Sequence, residues 1–504
     1  MINKNDVKTV IELASKTYEN CWEMLAELKA FNSKQDFPDG LLNFQSMLCK
    51  VMLNLEKVYL SISREKKGLV ARKAYLTNKW FLQRMKSLHD YQVAIEKCTY
   101  IGKSLGNSFV WIFYRNEGDL LIEHLKHEEI SHLPTGIGGI GELGFITNIK
   151  RIGDCFIIYH GITTILRHGD ISLYDIKKRK IIALGDLKTK PDGEHCVLVK
   201  ILLVGLSIKD VNSINKSIHI SSPKELPRTG TNDVITTLPS QFKERLSRQL
   251  SNMSSSLIER EKISSFEQSS FIDDNMSKLN QIYKNLKTSK FVYEIADPSL
   301  LLGAYKNPTQ PLSSKLMGRA EVSQVKFKGI EEKITSILDN TRSDNSLYFS
   351  PFYYRDDGSI INLPGTVPLF WWPLDNELIK AIIFYDVIIF TLFNPLHLIK
   401  KLEVMGFKTK GNIRENTFSL SKEIGRLNLN VEQCMFFIRL IQNNLLKEES
   451  VVDIINNIEK TIEGQTSPNN ARNVIGIKLQ QSFISPTEMK KMKEENKKQL
   501  KGIL

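Results

Sequence analysis

The stretch Gly161–Lys190, GITTILRHGDISLYDIKKRKIIALGDLKTK, decides how the middle of this 504-residue chain is read. DISLYDI, from Asp170 to Ile176, alternates in character and predicts a strand. The KKRK that follows predicts a hairpin turn, and KIIALGDLKTK predicts a second strand antiparallel to the first. Asp170 opens the first strand, while Asp186 and Lys188 stand two apart on the second. Side chains alternate faces along a strand, so residues 186 and 188 project to the same side. Pairing through the short turn brings Asp170 to the end of the hairpin where those two lie. Two carboxylates and an ammonium are thereby expected to converge.

That set suits phosphodiester hydrolysis. Hard carboxylate oxygens bind Mg²⁺ while leaving it open positions for phosphate oxygens. The ion lowers the pKa of a bound water and neutralises charge growing on the phosphate. A lysine beside it orients the attacking water or meets the developing oxyanion.

His168-Gly169-Asp170, about fifteen further residues, and then Asp186-Leu187-Lys188 together resemble the signature of the PD-(D/E)XK nuclease superfamily, whose fold is restriction-endonuclease-like. Gly169 stands where the family name has proline, and Asp186 is the rarer choice of second acid. The resemblance covers at most residues 105–310. It implies a central mixed-sheet core, Mg²⁺ or Mn²⁺ as cofactor, Asp170 and Asp186 as metal ligands, and Lys188 as a catalytic residue. It also implies a further metal-binding and catalytic glutamate from a helix before the first motif strand. Glu142 in GIGELGFITNIKRI is the first choice, with Glu129 and Glu123 as rivals. Lys190 and His168 flank the motif, within reach of the scissile or a neighbouring phosphate.

Outward from the hairpin, the expected fold is α/β. Residues 1–104 read as helical, with Phe81, Met85, Leu88, Tyr91, Ile95 and Cys98 recurring at steps of three and four. SFVWIFY, 108–114, reads as a buried strand opening the nuclease core of 105–310. NEGDLLIEHLKHEE then reads as a helix. Residues 209–287 are polar and Ser-rich and read as an insertion carrying an amphipathic helix at 238–262; KFVYEI, 290–295, returns as a strand and is a candidate member of the same sheet. A second α/β or α+β domain of unassigned role is expected over 311–484. A Lys-rich helical tail follows at 485–504, opened by the capping box Ser485-Pro486-Thr487-Glu488.

The net charge of +13 favours a polyanionic partner. Residues 61–90 concentrate it, with eight Lys and Arg against two acids and with Tyr75, Trp80 and Phe81 interleaved. Arg72, Lys73 and Lys79 are therefore expected nucleic-acid contacts, the competing account being a solvated helix face whose aromatics are core. The six cysteines have no CxxC pairing, which argues against a zinc site or a disulfide scaffold. With no signal peptide and no apolar stretch long enough to span a bilayer, the expected location is cytoplasmic, away from membranes. TGIGGIGE satisfies GxGxxG, but a helix and a proline turn precede it where a dinucleotide site needs a strand.

These observations point to a Mg²⁺-dependent nuclease, with DNA expected ahead of RNA as its substrate. By analogy, a nuclease core beside an extra domain resembles effectors of bacterial defence against phage. Homo-oligomerisation or a partner protein is an open role for the C-terminal domain. The alternatives are a non-catalytic nucleic-acid-binding or assembly protein on a nuclease-like fold, and a nucleotide-binding signalling protein using the Gly-rich turn.

Overall fold

The computed structural model describes residues 2–30, 41, 43–115, 117–126, 133, 136–152, 155–191, 196–205, 216–221, 265–267, 273–307, 329–338, 350–353, 367–411, 417–424, 427–431, 434–463 and 476–478. The expected helix at 238–262 and the tail at 485–504 lie outside these residues. The chain forms two compact units, one of Met1–Lys262 with 309–319 and 356–369, the other of the remainder. Helix and sheet are mixed in both. Among the described residues, no helix is long and apolar enough to cross a membrane.

The first unit begins with three helices packed on one another, α1 (Lys4–Ala30), α2 (Phe44–Ala71) and α3 (Asn78–Tyr114). Five of the six periodic residues of α3, Phe81, Leu88, Tyr91, Ile95 and Cys98, are buried, and the sixth, Met85, is half-buried. Two shorter helices follow, α4 (Gly118–Lys126) and α5 (Ile137–Asn148).

Ser108–Tyr114 is not a strand but the last two turns of α3, so the expected boundary at 104/105 falls inside one continuous helix. The reason is burial. Phe109 stacks on Phe44 with ring centroids 4.5 Å apart, and Phe113 packs on Phe156 and Tyr174 of the sheet. A helix end enclosed this way has no polar face, and its compact apolar run has the same pattern as a buried strand.

The sheet of this unit runs β1 (Arg151–Ile152), β2 (Cys155–Tyr159), β3 (Ile171–Asp175), β4 (Lys180–Pro191), β5 (Cys196–Gly205) and β6 (Lys216–Ser221), in that spatial order. Every pairing is antiparallel, which corrects the expected mixed sheet. Consecutive strands joined by short connections pair antiparallel, whereas a parallel neighbour needs a crossover of a dozen or more residues. β6 comes from the stretch expected to be an insertion and extends the sheet instead. The predicted hairpin is present, with Ile171 opposite Gly185 and Tyr174 opposite Ile181, and a bulge between Leu173 and Tyr174.

The second unit contains β7 (Ser265–Glu267), α6 (Met276–Leu286), β8 (Phe291–Asp297), β9 (Leu300–Lys306), α7 (Ile330–Leu338), β10 (Ser350–Tyr353), α8 (Asn376–Ile383), β11 (Val387–Phe393) and α9 (Pro395–Val404). A small sheet of β12 (Lys408–Lys410), β13 (Ser419–Ile424) and β14 (Leu427–Val431), two further helices and β15 (Gly476–Lys478) complete it among the described residues, β15 pairing in parallel with β7. Its larger sheet has the order β10-β11-β9-β8. KFVYEI therefore belongs to this sheet, paired with β9, and not to the sheet that carries the hairpin. Phe370 and Trp372 are buried core residues.

Candidate active site

β4 delivers Asp186 and Lys188 to one face, where the Lys188 Nζ lies 2.8 Å from the Asp186 Oδ2. Asp170 enters from the turn before β3, with its backbone locked to both neighbouring strands. Its N–H donates to the Gly185 carbonyl at 2.8 Å, and its own carbonyl accepts from His160 N–H at 2.8 Å. Its carboxylate Oδ2 accepts the Leu187 N–H at 2.7 Å, which ties it to the Asp186-Leu187-Lys188 backbone. The preceding Gly169 has φ +68, and a Cβ there would lie 2.7 Å from the Gly185 carbonyl oxygen. A proline, fixed near φ −65, cannot occupy that position. Glycine is required here.

The fourth group arrives from α5. Gly136, with φ +82, turns the chain into this helix. Gly141 then lets the helix lie directly against β4, since a Cβ there would fall 2.3 Å from the Thr189 methyl. The Gly-rich run is thus a helix entry and a close helix–strand contact. Glu142, next in sequence, is buried and accepts a hydrogen bond from the Tyr159 hydroxyl of β2.

The electrostatics place these groups in one site. Burial pushes the Glu142 carboxyl up to about 7, against the Tyr159 hydrogen bond and the Lys188 ammonium, which pull it down, and with the Asp186 charge, which pushes it up. Asp170 is held well above the usual carboxylate range, first by burial and then by the charges of Asp186 and Glu142. A hydrogen bond shared with Asp186 helps it keep its proton. Glu142 and Asp170, crowded beside the Asp186 charge, thus retain protons that carboxylates in water give up.

That donor set, all hard oxygen and in excess of its positive neighbours, fits Mg²⁺ or Mn²⁺ in chemistry. As they stand, with Asp186 on Lys188 and Glu142 on Tyr159, no group of three or more His, Cys, Asp or Glu among the described residues converges to hold a metal ion.

A buried polar network supports the site from below. His124 Nδ1 accepts the backbone N–H groups of Arg167 and His168, so its Nε2 carries the proton, and it faces the Tyr114 hydroxyl at 3.4 Å. Tyr114 shares a hydrogen bond with Ser172, and Ser172 with the Nε2 of His160. The Nδ1 of His160 donates to the Gly169 carbonyl at 3.0 Å, immediately before Asp170. Burial lowers both histidines, His160 to about 3, so both rings are neutral. Lys103 and Asn107 of α3 bolt down the same loop, Lys103 donating to the Gly161 carbonyl at 2.7 Å and Asn107 bonding Thr163 and Thr164. Nothing in the sequence marks Lys103 and Asn107 as partners of this loop, because the separations are 56 residues or more.

Other expected residues are placed elsewhere. His168 turns away and meets the Glu123 carbonyl at 3.2 Å. Glu123 is buried on α4, and Glu129 lies outside the described residues. Lys190 is in β4 opposite Leu198, its side chain outside the described set. Arg72, Lys73 and Lys79 are exposed at the turn between α2 and α3, at the far end of α2 from the site. The near end is fixed by Gln45, whose side chain bonds the Ile157 carbonyl at 2.8 Å and the Tyr159 N–H at 2.7 Å. Compared with known protein families, with curated proteins and with solved structures, the chain has no match in any of the three.

Proposed function

We propose that this protein is a metal-dependent nuclease that hydrolyses phosphodiester bonds, with DNA as the expected substrate, at Asp170, Asp186, Lys188 and Glu142. The observation that carries the proposal is that groups from a turn, a strand and a separate helix act on one another's charge at one place. A structural ion pair between Asp186 and Lys188 has no need of two further carboxyls, Asp170 and Glu142, whose pKa the Asp186 charge raises. Perturbed carboxyls of this kind are a mark of functional sites.

Asp170, Asp186 and Glu142 are the residues that would hold the cation. When bound, it would supply charge neutralisation at the phosphate and a more acidic water. Lys188 then has two tasks. In the metal-free protein its ammonium balances Asp186, and with substrate present it offers a donor to the phosphate oxyanion. In the metal-free protein Glu142, with its carboxyl pushed up to about 7, is suited to hold or accept a proton at its Oε atoms around pH 7, a proton it would give up on holding the cation. The network through His160 keeps Asp170 aimed by fixing the carbonyl that precedes it.

The test is incubation with supercoiled plasmid, single-stranded DNA and RNA, each with Mg²⁺, Mn²⁺ or EDTA. Cleavage with the metals and none in EDTA is expected. Asp186→Asn and Lys188→Ala should each lower the rate by about a hundredfold or more, as loss of an oxyanion donor does elsewhere, while nucleic-acid binding persists. Full activity in both variants overturns the site. A wild-type protein that binds nucleic acid but cuts none of the substrates favours a non-catalytic binding protein.

A further inference from the structure

The turn between α2 and α3 exposes apolar surface in a way the rest of the described chain does not. Of eight large hydrophobic residues exposed among the described residues, four lie between positions 70 and 82. Tyr75 is 88% exposed, Leu82 58%, Val70 57% and Trp80 41%. Two of these are aromatic, and both stand among exposed cations, Arg72, Lys73 and Lys79. The chain carries no acidic residue from Lys66 through His89. Phe81, by contrast, is buried, and the Lys73 ammonium sits 5.4 Å from its ring centre. The core of the hairpin is therefore complete without Tyr75 and Trp80.

We propose that this tip is a docking site for single-stranded nucleic acid, remote from the carboxylates, with bases stacking on Tyr75 and Trp80 and phosphates facing Arg72, Lys73 and Lys79. The occupant follows from complementarity. A stretch of exposed cations with no acid of its own calls for a polyanion. Exposed aromatic faces add affinity only where the polyanion presents faces of its own, which unpaired bases do and stacked duplex pairs do not. The assignment of nucleic acid rests on the proposed function, and it adds a substrate class to it.

The distance gives the site a consequence. Gln45, beside the carboxylates, and Ala71, at the tip, lie on one helix, and at about 1.5 Å per residue they are about 40 Å apart. A stacked strand advancing about 3.4 Å per nucleotide needs about 12 nucleotides to reach from one to the other. A strand that stays stacked along its length and is shorter than this can occupy the tip or the carboxylates, not both.

The experiment is fluorescence anisotropy of the full chain with labelled oligothymidylate of 24 nucleotides and with a 24-base-pair duplex, in EDTA so that nothing is cut. Tyr75→Ala and Trp80→Ala should each weaken single-strand binding about fivefold or more and change duplex binding much less. Trp80→Phe, which keeps a stacking face, should retain most of the affinity. Charge reversal at Arg72, Lys73 and Lys79 should lower the slope of log affinity against log salt by about 0.7 for each phosphate that is no longer neutralised. Unchanged single-strand affinity in both alanine variants overturns the proposal. So does an equal loss for duplex, a wild-type protein that binds no strand, or a change in oligomeric mass, which would make the tip a protein–protein surface. The two proposals fail separately. Asp186→Asn should bind the oligomer as the wild type does, and stacking losses in a protein that never cleaves would keep the docking site while removing the nuclease.

Discussion

Glu142 shows how burial writes a pH dependence into a single residue. In the folded protein its carboxyl keeps its proton up to about pH 7, whereas in the unfolded chain a glutamate releases it near 4.5. A raised carboxyl is a stability contribution that is fully present below the unfolded value and lost as pH rises through the folded one. The window is therefore about pH 4.5 to 7, with stability falling toward neutrality in the metal-free protein. At about 1.4 kcal/mol per pKa unit the effect is on the order of 3 kcal/mol. Thermal unfolding in EDTA from pH 5 to 7.5 should show a falling midpoint in the wild type and a flatter profile in Glu142→Gln. Asp170, shifted in the same direction, keeps the variant from being wholly flat. Identical profiles for the two proteins would place Glu142 outside the electrostatic cluster.

At the scale of elements, one contact sets the distance between α5 and the sheet. Gly141→Ala would drive a Cβ to 2.3 Å from the Thr189 methyl, so the helix must lift from β4 and carry Glu142 with it. The expected outcome is a loss of about 1–3 kcal/mol from overpacking and a weakened effect of Glu142 on the site. Denaturant unfolding measures the first, and partial recovery in the Gly141→Ala, Thr189→Ala double variant checks the cause. No change in stability would show that the helix is not held against Thr189.

What the sequence made legible at this scale follows from pattern. The β3–β4 hairpin and the helical character of α3 could be read from strand alternation and three–four spacing, and α5 from the Gly-rich turn that opens it. Ser108–Tyr114 could not, since enclosure by Phe44 and the sheet erased the period. The partner of β8 is a nonlocal choice that no local signal carries. Among the site residues, the acid–lysine pair is legible because both members share one strand. The Gly141–Thr189 contact and the Tyr114–Ser172–His160 network are not, because they join residues that only the fold makes neighbours.

For the molecule as a whole, the antiparallel sheet and the helical bundle of the first unit differ in how far along the chain their contacts reach. Each strand of the sheet pairs with the next in sequence, so each pairing closes a short loop at small entropic cost. The joint between bundle and sheet is of another kind, because the Gln45 side chain meets Ile157 and Tyr159 across separations of 112 and 114 residues. In kinetic terms the hairpin of Asp170 and Asp186 belongs to the early, local part of folding, and the Gln45 clasp to the late part. Gln45→Ala, which leaves buried backbone groups of β2 without partners, should then speed unfolding in stopped-flow denaturant jumps and leave the refolding rate nearly unchanged. Slowed refolding in that variant would instead put the clasp in the nucleus. In that order Asp170 and Asp186 are gathered before the bundle closes over them, and the Gln45 amide on α2 adds to the time the native state survives.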